Sequence, residues 1–344
     1  MKLKLLFASY VEKSYVDYIE EKFQSLEIIY RPDLINKPRY RGDHIGLPVS
    51  RSKTAQKEWL RYVEEADIIF DFDKTLDPNL NLFAKNVQWI QATSSGIGGY
   101  LKKNEYLVKM PNTQFTTARG VHSVPLAEYC MMSILMWSKN YFQVQQLKAK
   151  KVWERFSVDD LSNKTVGILG VGKIGKEIAN HCKFFKMKVF GIKNKSSNIS
   201  SYTNIDKFFD KTDLKEMAAL VDFLILVAPQ TPKTNEIVNS EIFNVMKPDS
   251  YLINIGRGSL VNERHLIDAL KNNTISGAAL DVFVNEPLPQ DSEIWNLSNV
   301  ILFPHSASTT YDENKRITEL FCHNIELFLN KEPLINQFNL QNSY

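Results

Sequence analysis

Cysteine is scarce: there are three in 344 residues, Cys130, Cys182 and Cys322, and none sits in a Cys-x-x-Cys pair. So spaced, they form neither a disulfide framework nor a zinc cluster, no metal site is expected, and they suit a reducing compartment. An excess of one charge is lacking too. A net charge of +3 is small for this length, and a protein built to bind nucleic acid needs a strongly basic surface. The densest basic run, QLKAKKVWERF from Gln146 to Phe156, ends a long helical pattern and reads as a solvated helix end. No apolar run approaches the roughly 20 residues of a membrane helix. The opening MKLKLLFASY has an apolar core too short for a signal peptide and fits a first buried strand. Asn-x-Ser/Thr matches such as those at Asn163, Asn198 and Asn272 are therefore read as chance. These absences leave a soluble cytoplasmic protein with no nucleic-acid or membrane partner.

What is present is globular. At 44% hydrophobic and 24% charged the chain shows no compositional sign of disorder, and its length accommodates two ordinary domains. No internal repeat or low-complexity tract is evident. Two blocks alternate strand-length apolar runs with helical patterns. The first has KLKLLFAS, a helix over Glu12–Phe23, LEIIYR, a helix near Thr54–Glu65, ADIIFDF and VQWIQAT. The second has KTVGILG, KVFGI, DFLILVA, SYLINIG, SGAALDV and NVILFP. Such runs separated by helices imply parallel sheet with helical crossovers. Six in βαβ order suit a doubly wound dinucleotide-binding sheet. The Pro32–Arg51 stretch, with three prolines and two glycines, is expected to be an ordered surface excursion or a flap. Between the blocks the pattern predicts one long helix over 123–150, opened by Ser123 and Pro125. Its middle, YCMMSILMW, is apolar nearly all round, so more than one face must be buried. Packing between domains and a subunit interface are both expected of it and are compatible, and a homodimer through it is the expected assembly. A last helix, with Ile317, Leu320, Phe321, Ile325 and Phe328 at helical spacing, must dock on something already built, and the first block is the candidate.

Gly170-Val171-Gly172-Lys173-Ile174-Gly175 is a G-x-G-x-x-G that follows TVGIL and opens a helix, the context that makes this short pattern informative. The first glycine permits the tight turn, the second admits a pyrophosphate to the backbone, and the third lets the helix pack on the strand. The pyrophosphate would meet the helix N-terminus. One further absence concerns the cofactor. The strand KVFGI should lead to an Asp or Glu for the adenosine ribose hydroxyls, yet Lys193, Asn194, Lys195 and Ser196 follow. A carboxylate would repel a 2′-phosphate, whereas two lysines and a serine would hold one. NADPH is therefore favoured, with NAD as the alternative.

Of six histidines, His44, His122, His181, His265 and His323 lie in the excursion, before a helix or inside helical patterns, and read as structural or surface residues. His305 stands just past the sixth strand of the second block, where open α/β sheets bind ligands. Arg257 follows YLINIG and Glu286 follows AALDVF, so both are expected at the same crevice. Arg257 carries a planar fork suited to a substrate carboxylate and to polarising the adjacent carbonyl. His305 can pass a proton to the carbonyl oxygen as hydride reaches carbon. Glu286, if hydrogen-bonded to His305, would orient it and favour imidazolium.

The segment from Leu252 to Ser308, LINIGRGSLVNERHLIDALKNNTISGAALDVFVNEPLPQDSEIWNLSNVILFPHSAS, resembles the signature region of the D-isomer-specific 2-hydroxyacid dehydrogenases. GILGVGKIG and LVAPQTPKTNEIVN support the likeness, which runs from about Trp89 to Asn330; earlier residues match only in pattern. The resemblance implies Arg257, Glu286 and His305 as catalytic residues. It also implies Asp281 at the nicotinamide carboxamide, backbone of Ile255 toward the cofactor, and Pro229 and Thr234 along its path. ATSSGIGGY matches the family's substrate loop, so Ser95, Gly96 and Ile97 would offer N–H groups to the substrate carboxylate. The implied architecture is a Rossmann cofactor domain, 118–306, inserted into a smaller flavodoxin-like α/β substrate domain, 1–117 with 307–344. Three departures stand out. Gly256 replaces the Ala, Ser or Thr of many members; the last motif ends HSAS, placing Ser308 near the nicotinamide; and Lys193 stands where NAD-using members carry Asp. The implied activity is reduction of a small 2-oxo acid, such as glyoxylate or hydroxypyruvate, to its D-2-hydroxy acid. The alternatives are a formate- or phosphite-type dehydrogenase and a non-catalytic dinucleotide-sensing interaction protein, as in the family's corepressor branch. A regulated phosphoglycerate dehydrogenase is disfavoured, because few residues follow His305.

Overall fold

The computed structural model describes residues 2–192 and 203–339. The chain divides into two compact units, Met1–Val121 with Thr309–Tyr344, and His122–Ser308. In the first, β1 (Leu3–Phe7), α1 (Lys13–Lys22), β2 (Leu26–Ile29), α2 (Lys53–Glu65), β3 (Ile68–Phe70), α3 (Leu80–Phe83), β4 (Trp89–Gln91), α4 (Gly98–Lys103), α5 (Tyr106–Lys109) and β5 (Gln114–Thr116) follow in order. The strands form one parallel sheet, β2-β1-β3-β4-β5. Leu5, Leu6, Phe7, Ile68, Ile69 and Phe70 are fully buried, because helices cover both faces and leave no room for polar alternation. α2 starts where the Ser52 hydroxyl accepts from the Ala55 N–H at 3.2 Å, a cap that its orphan amides require.

The Pro32–Arg51 excursion has neither helix nor extended strand, yet it is ordered. The Asp43 carboxylate, almost wholly buried, accepts from the Arg39 and Gly46 amides at 3.0 Å, from Ile45 N at 3.1 Å and from the Arg39 guanidinium at 2.6 and 3.0 Å. Burial would raise its pKa, but these donors outweigh burial and hold it well below the usual carboxylate range.

The second unit contains α6 (Ser123–Ser138), α7 (Tyr141–Lys150), β6 (Thr165–Leu169), α8 (Lys173–Phe184), β7 (Lys188–Ile192), β8 (Lys207–Phe209), α9 (Leu214–Leu220), β9 (Phe223–Leu226), α10 (Ser240–Phe243), β10 (Tyr251–Asn254), α11 (Glu263–Lys271), β11 (Gly277–Leu280) and β12 (Val300–Leu302). Its seven-stranded parallel sheet has the order β12-β11-β10-β9-β6-β7-β8, with the order reversing at β6 as a doubly wound sheet requires. The single helix expected over 123–150 is in fact two. Asn140 takes a left-handed conformation, φ 51, which a short polar side chain tolerates and which stops one helix and starts the next. α6 is buried on most sides: Met131 meets Cys182 of α8 at 3.9 Å, and Trp137 stacks on Tyr251 with centroids 4.7 Å apart. α7 has no buried residue.

The final helix, α12 (Glu313–Leu329), belongs to the first unit. Phe321 is fully buried, with its ring centroid 5.1 Å from those of Phe70 and Trp89. Truncating such a side chain costs about 3–5 kcal/mol, so α12 is an integral layer of this unit.

Candidate active site

The turn after β6 is built on glycine. Gly170 has φ +111, and a Cβ there would lie 2.7 Å from Ala228 N. A Cβ on Gly175 would lie 2.5 Å from the Gly170 carbonyl oxygen, so α8 can approach β6 only with glycine at that place. Gly172 is the N-cap of α8 and brings no side chain to it, leaving Lys173 and Ile174 in a first turn whose backbone faces outward with the helix's positive end. The Ile192 carbonyl accepts from Gly170 N at 3.1 Å and Val171 N at 3.2 Å, so β7 ends beside this turn. Lys193, Asn194, Lys195 and Ser196 lie outside the described residues.

Three neighbouring strands bring the acid–base candidates together. β10, β11 and β12 lie side by side, and the segments after them carry Arg257, Glu286 and His305. His305 Nδ1 is 2.7 Å from Glu286 Oε2. Glu286 Oε1 accepts from Phe283 N at 2.9 Å, so both carboxylate oxygens are engaged. A carboxylate only accepts, so Nδ1 carries the proton in this bond and Nε2 is the nitrogen left to act. The His305 side chain is 47% exposed. Its backbone is left-handed, φ 53, an unusual state for a residue with a Cβ. Asp281 holds it there. The Asp281 carbonyl accepts from His305 N at 2.8 Å, and its Oδ1 accepts from Ser306 N at 2.8 Å and Ala307 N at 2.9 Å. Asp281 is 2% exposed; burial raises its pKa against the pull of those amides and of His305.

Arg257 is partly buried, which lowers its pKa against the opposing attraction of Glu286. Its Nη1 donates to the Gly256 carbonyl at 2.7 Å, and among the described residues no carboxylate forms an ion pair with it. Asn254, 1% exposed, shapes this turn by accepting from Gly256 N at 3.1 Å and donating to the Arg257 carbonyl at 3.0 Å. Gly258 sets its distance from the Glu286 turn, since a Cβ there would be 2.0 Å from the Phe283 carbonyl carbon. Neither Asn254 nor Gly258 was picked out by sequence, although both adjoin the arginine. A Cβ on Gly256 would meet Leu260 Cδ1 at 2.7 Å, so its replacement of Ala, Ser or Thr is a matter of local packing.

Thr234 Oγ1 donates to the Pro229 carbonyl and accepts from Thr231 N, both at 2.8 Å, which fixes the loop after β9. Ile255 has a buried side chain and gives its N–H to Leu226 at 3.2 Å, so its carbonyl is what it can offer a ligand. Ser308 is half-buried and ends the second unit. Ser95, Gly96 and Ile97 link β4 to α4 in the first unit, with Ile97 in the core and the Ser94 carbonyl tied to Ala118 N at 3.0 Å. Among the described residues, no helix is long and apolar enough to cross a membrane.

Comparison with known proteins decides the family. Residues 131–307 match the family model described as D-isomer specific 2-hydroxyacid dehydrogenase, NAD binding domain. The chain belongs to this family. It is an NAD(P)-dependent 2-hydroxyacid dehydrogenase by that membership, moving hydride between the nicotinamide and a 2-oxo acid. It is 28% identical over 337 residues to a glyoxylate reductase of Pyrococcus furiosus, covering 95% of this chain and 93% of the relative. A family member from Aeromonas salmonicida superposes with a TM-score of 0.80 at 25% identity over 98% and 99% of the two chains. The NADPH-dependent glyoxylate/hydroxypyruvate reductase of Sinorhizobium meliloti, solved with NADP and sulfate, has the same fold, with a TM-score of 0.80 at 22% identity over 100% of each chain. The dehydrogenase's glycine turn fits the dinucleotide: its close approaches at Gly170 and Gly175 are those that pyrophosphate-binding turns require.

Proposed function

We propose that this dehydrogenase reduces glyoxylate or hydroxypyruvate to the D-2-hydroxy acid, with NADPH favoured over NADH. The observation that carries the reading is the His305–Glu286 pair at 2.7 Å, which leaves Nε2 as the exposed acid–base atom just past β12. The nicotinamide, when bound, supplies the hydride that reaches the substrate's carbon 2. Arg257 binds the substrate carboxylate and polarises the carbonyl, aided by the N–H groups of Ser95, Gly96 and Ile97. His305 Nε2 gives its proton to the carbonyl oxygen, and Glu286 balances the imidazolium charge before transfer. In the oxidative direction Nε2 takes that proton back.

The cofactor contacts would come from Gly170, Gly172, Lys173, Ile174 and Gly175 at the pyrophosphate, and from Pro229, Thr234 and the Ile255 carbonyl along the dinucleotide. Asp281 and Ser308 would serve the nicotinamide end. Lys193, Asn194, Lys195 and Ser196 would receive the 2′-phosphate. The parts played by the segments follow: 118–306 as cofactor domain, 1–117 with 307–344 as substrate domain. A cytoplasmic homodimer is the proposed assembly, with α6, α7 and the chain just after them at the interface. Trp153 is 96% exposed and Val152, Phe156, Val158, Tyr141 and Val144 are exposed beside it in sequence, an apolar series that a second copy would cover.

The test follows absorbance of the reduced nicotinamide with glyoxylate and hydroxypyruvate, using NADPH and NADH side by side. Turnover with NADPH and little with NADH is expected. Cofactor binding without turnover on any 2-oxo acid, formate or phosphite would favour the sensing protein instead.

A further inference from the structure

Asp71, the residue directly after β3, is in an unusual state. It is 3% exposed and left-handed, φ 64. Its N–H donates to the Gln91 carbonyl at 2.8 Å, and its Oδ1 accepts from Thr93 N at a long 3.4 Å. Its Oδ2 is buried and accepts no hydrogen bond from the described residues. A desolvated carboxylate oxygen without a donor is costly, and so is positive φ on a residue with a Cβ. Both costs fall on one residue at the carboxyl end of a parallel strand, where open sheets meet their ligands. In the same unit, Ser9 Oγ, just past β1 beside β3, and His44 Nδ1 lie 3.4 Å apart, and the His44 ring is 6.5 Å from that of Phe70, the residue before Asp71. Asp43, tied down as described, holds the excursion that presents His44.

We infer that the unpaired Asp71 oxygen receives a hydrogen bond from a hydroxyl on carbon 3 of the substrate. The enzyme then prefers 3-hydroxy-2-oxo acids and disfavours 2-oxo diacids. This rests on the reading that Ser95, Gly96 and Ile97 hold the substrate carboxylate. Thr93, to which Asp71 is bonded, stands two residues before Ser95, at most about 7 Å of chain. A three-carbon acid bonded at its carboxylate and its 3-hydroxyl fits that span. A second carboxylate in place of the hydroxyl would meet Asp71 as a like charge.

The test measures kcat/KM of the full chain for hydroxypyruvate, pyruvate, oxaloacetate and glyoxylate, in the native protein and in Asp71→Asn and Asp71→Gly. Asn and Gly are the residues that best accept positive φ, so both variants keep the backbone. The native enzyme should prefer hydroxypyruvate over pyruvate by about 10–100-fold, the range of one hydrogen bond to a charged group. Asn should weaken that preference; Gly should abolish it and raise turnover of oxaloacetate. Glyoxylate, which has no carbon 3, should change little. A preference unchanged in Asp71→Gly, or an equal loss on all four acids, overturns the inference. If no 2-oxo acid is turned over, the parent reading fails, and binding still decides this one. Thermal stabilisation of the native chain by D-glycerate beyond D-lactate, lost in Asp71→Gly, supports it, and equal stabilisation overturns it.

Discussion

Glu286 Oε2 and His305 Nδ1 are 2.7 Å apart, and each partner is fixed from behind by the segment that follows β11. Phe283 N holds the other oxygen of Glu286 at 2.9 Å, while Asp281 pins His305, Ser306 and Ala307 through their amides. Asp281 therefore positions the histidine loop in addition to any contact with a nicotinamide. Because His305 is held with positive φ, its side chain is aimed by backbone it would not adopt unaided.

Substituting the pair separates chemistry from scaffold. His305→Gln should remove most turnover, about 10²–10⁴-fold as for loss of a general acid, while the affinity for reduced cofactor, read by fluorescence titration, stays unchanged. Glu286→Gln should cost less turnover, since Gln still accepts one hydrogen bond but no longer balances the imidazolium. Cofactor binding lost together with turnover would make His305 a structural residue.

Gly258 allows the Arg257 turn to lie against the Phe283–Val284 backbone, with 2.0 Å between an added Cβ and the Phe283 carbonyl carbon. Something must shift, and that something is backbone leading to Glu286. Gly258→Ala should therefore lose at least about tenfold in kcat, the effect of displaced catalytic groups, with destabilisation of about 1–3 kcal/mol. Steady-state kinetics and thermal unfolding on one preparation check both. Unchanged kcat would show that the two turns move together without disturbing the pair.

Much of this was legible because the signals are local. Gly170 to Gly175 follows a solid apolar strand, and Arg257, Glu286 and His305 each follow such a run. Helix α12 announced itself by the spacing of Ile317, Leu320, Phe321, Ile325 and Phe328. What escaped is either too short or tertiary. β5 and β8 are three residues each, and neither sits in a longer apolar run of the kind that marks β3, β4 and β12. The break at Asn140 turns on one residue's φ, within a run that reads as continuous helix. The anchoring by Asp281 and the isolation of Asp71 depend on which amides the fold brings to a carboxylate, and no local pattern encodes that.

Asp43 makes the excursion pH-sensitive in a definite direction. Its folded pKa is depressed, so its stabilisation is present above the ordinary carboxylate pKa of about 3.9. It is lost as pH falls from there through the lower folded value. Asp43→Asn should be less stable than the native chain near neutral pH, by about 1–3 kcal/mol for hydrogen bonds to a charged group. The two should converge as pH drops below about 4. Denaturant unfolding at a series of pH values tests this, and a gap that stays constant in acid would mean that the Asp43 charge does not hold the excursion.

The missing acid after β7 bears on the cofactor. In register, Ile192 faces Leu169, and its carbonyl takes the Gly170 and Val171 amides, so the chain leaves β7 directly beside the glycine turn. Under the proposed cofactor assignment, a charge at the next position would act on whatever occupies the adenosine ribose, and a carboxylate there would repel a 2′-phosphate while accepting from a 2′-hydroxyl. Lys193→Asp should therefore lower the NADPH-to-NADH ratio of kcat/KM by at least about tenfold, the equivalent of roughly 1.4 kcal/mol, mainly through KM for NADPH. A ratio that does not move would assign the phosphate to other residues, with Lys195 and Ser196 the next to vary.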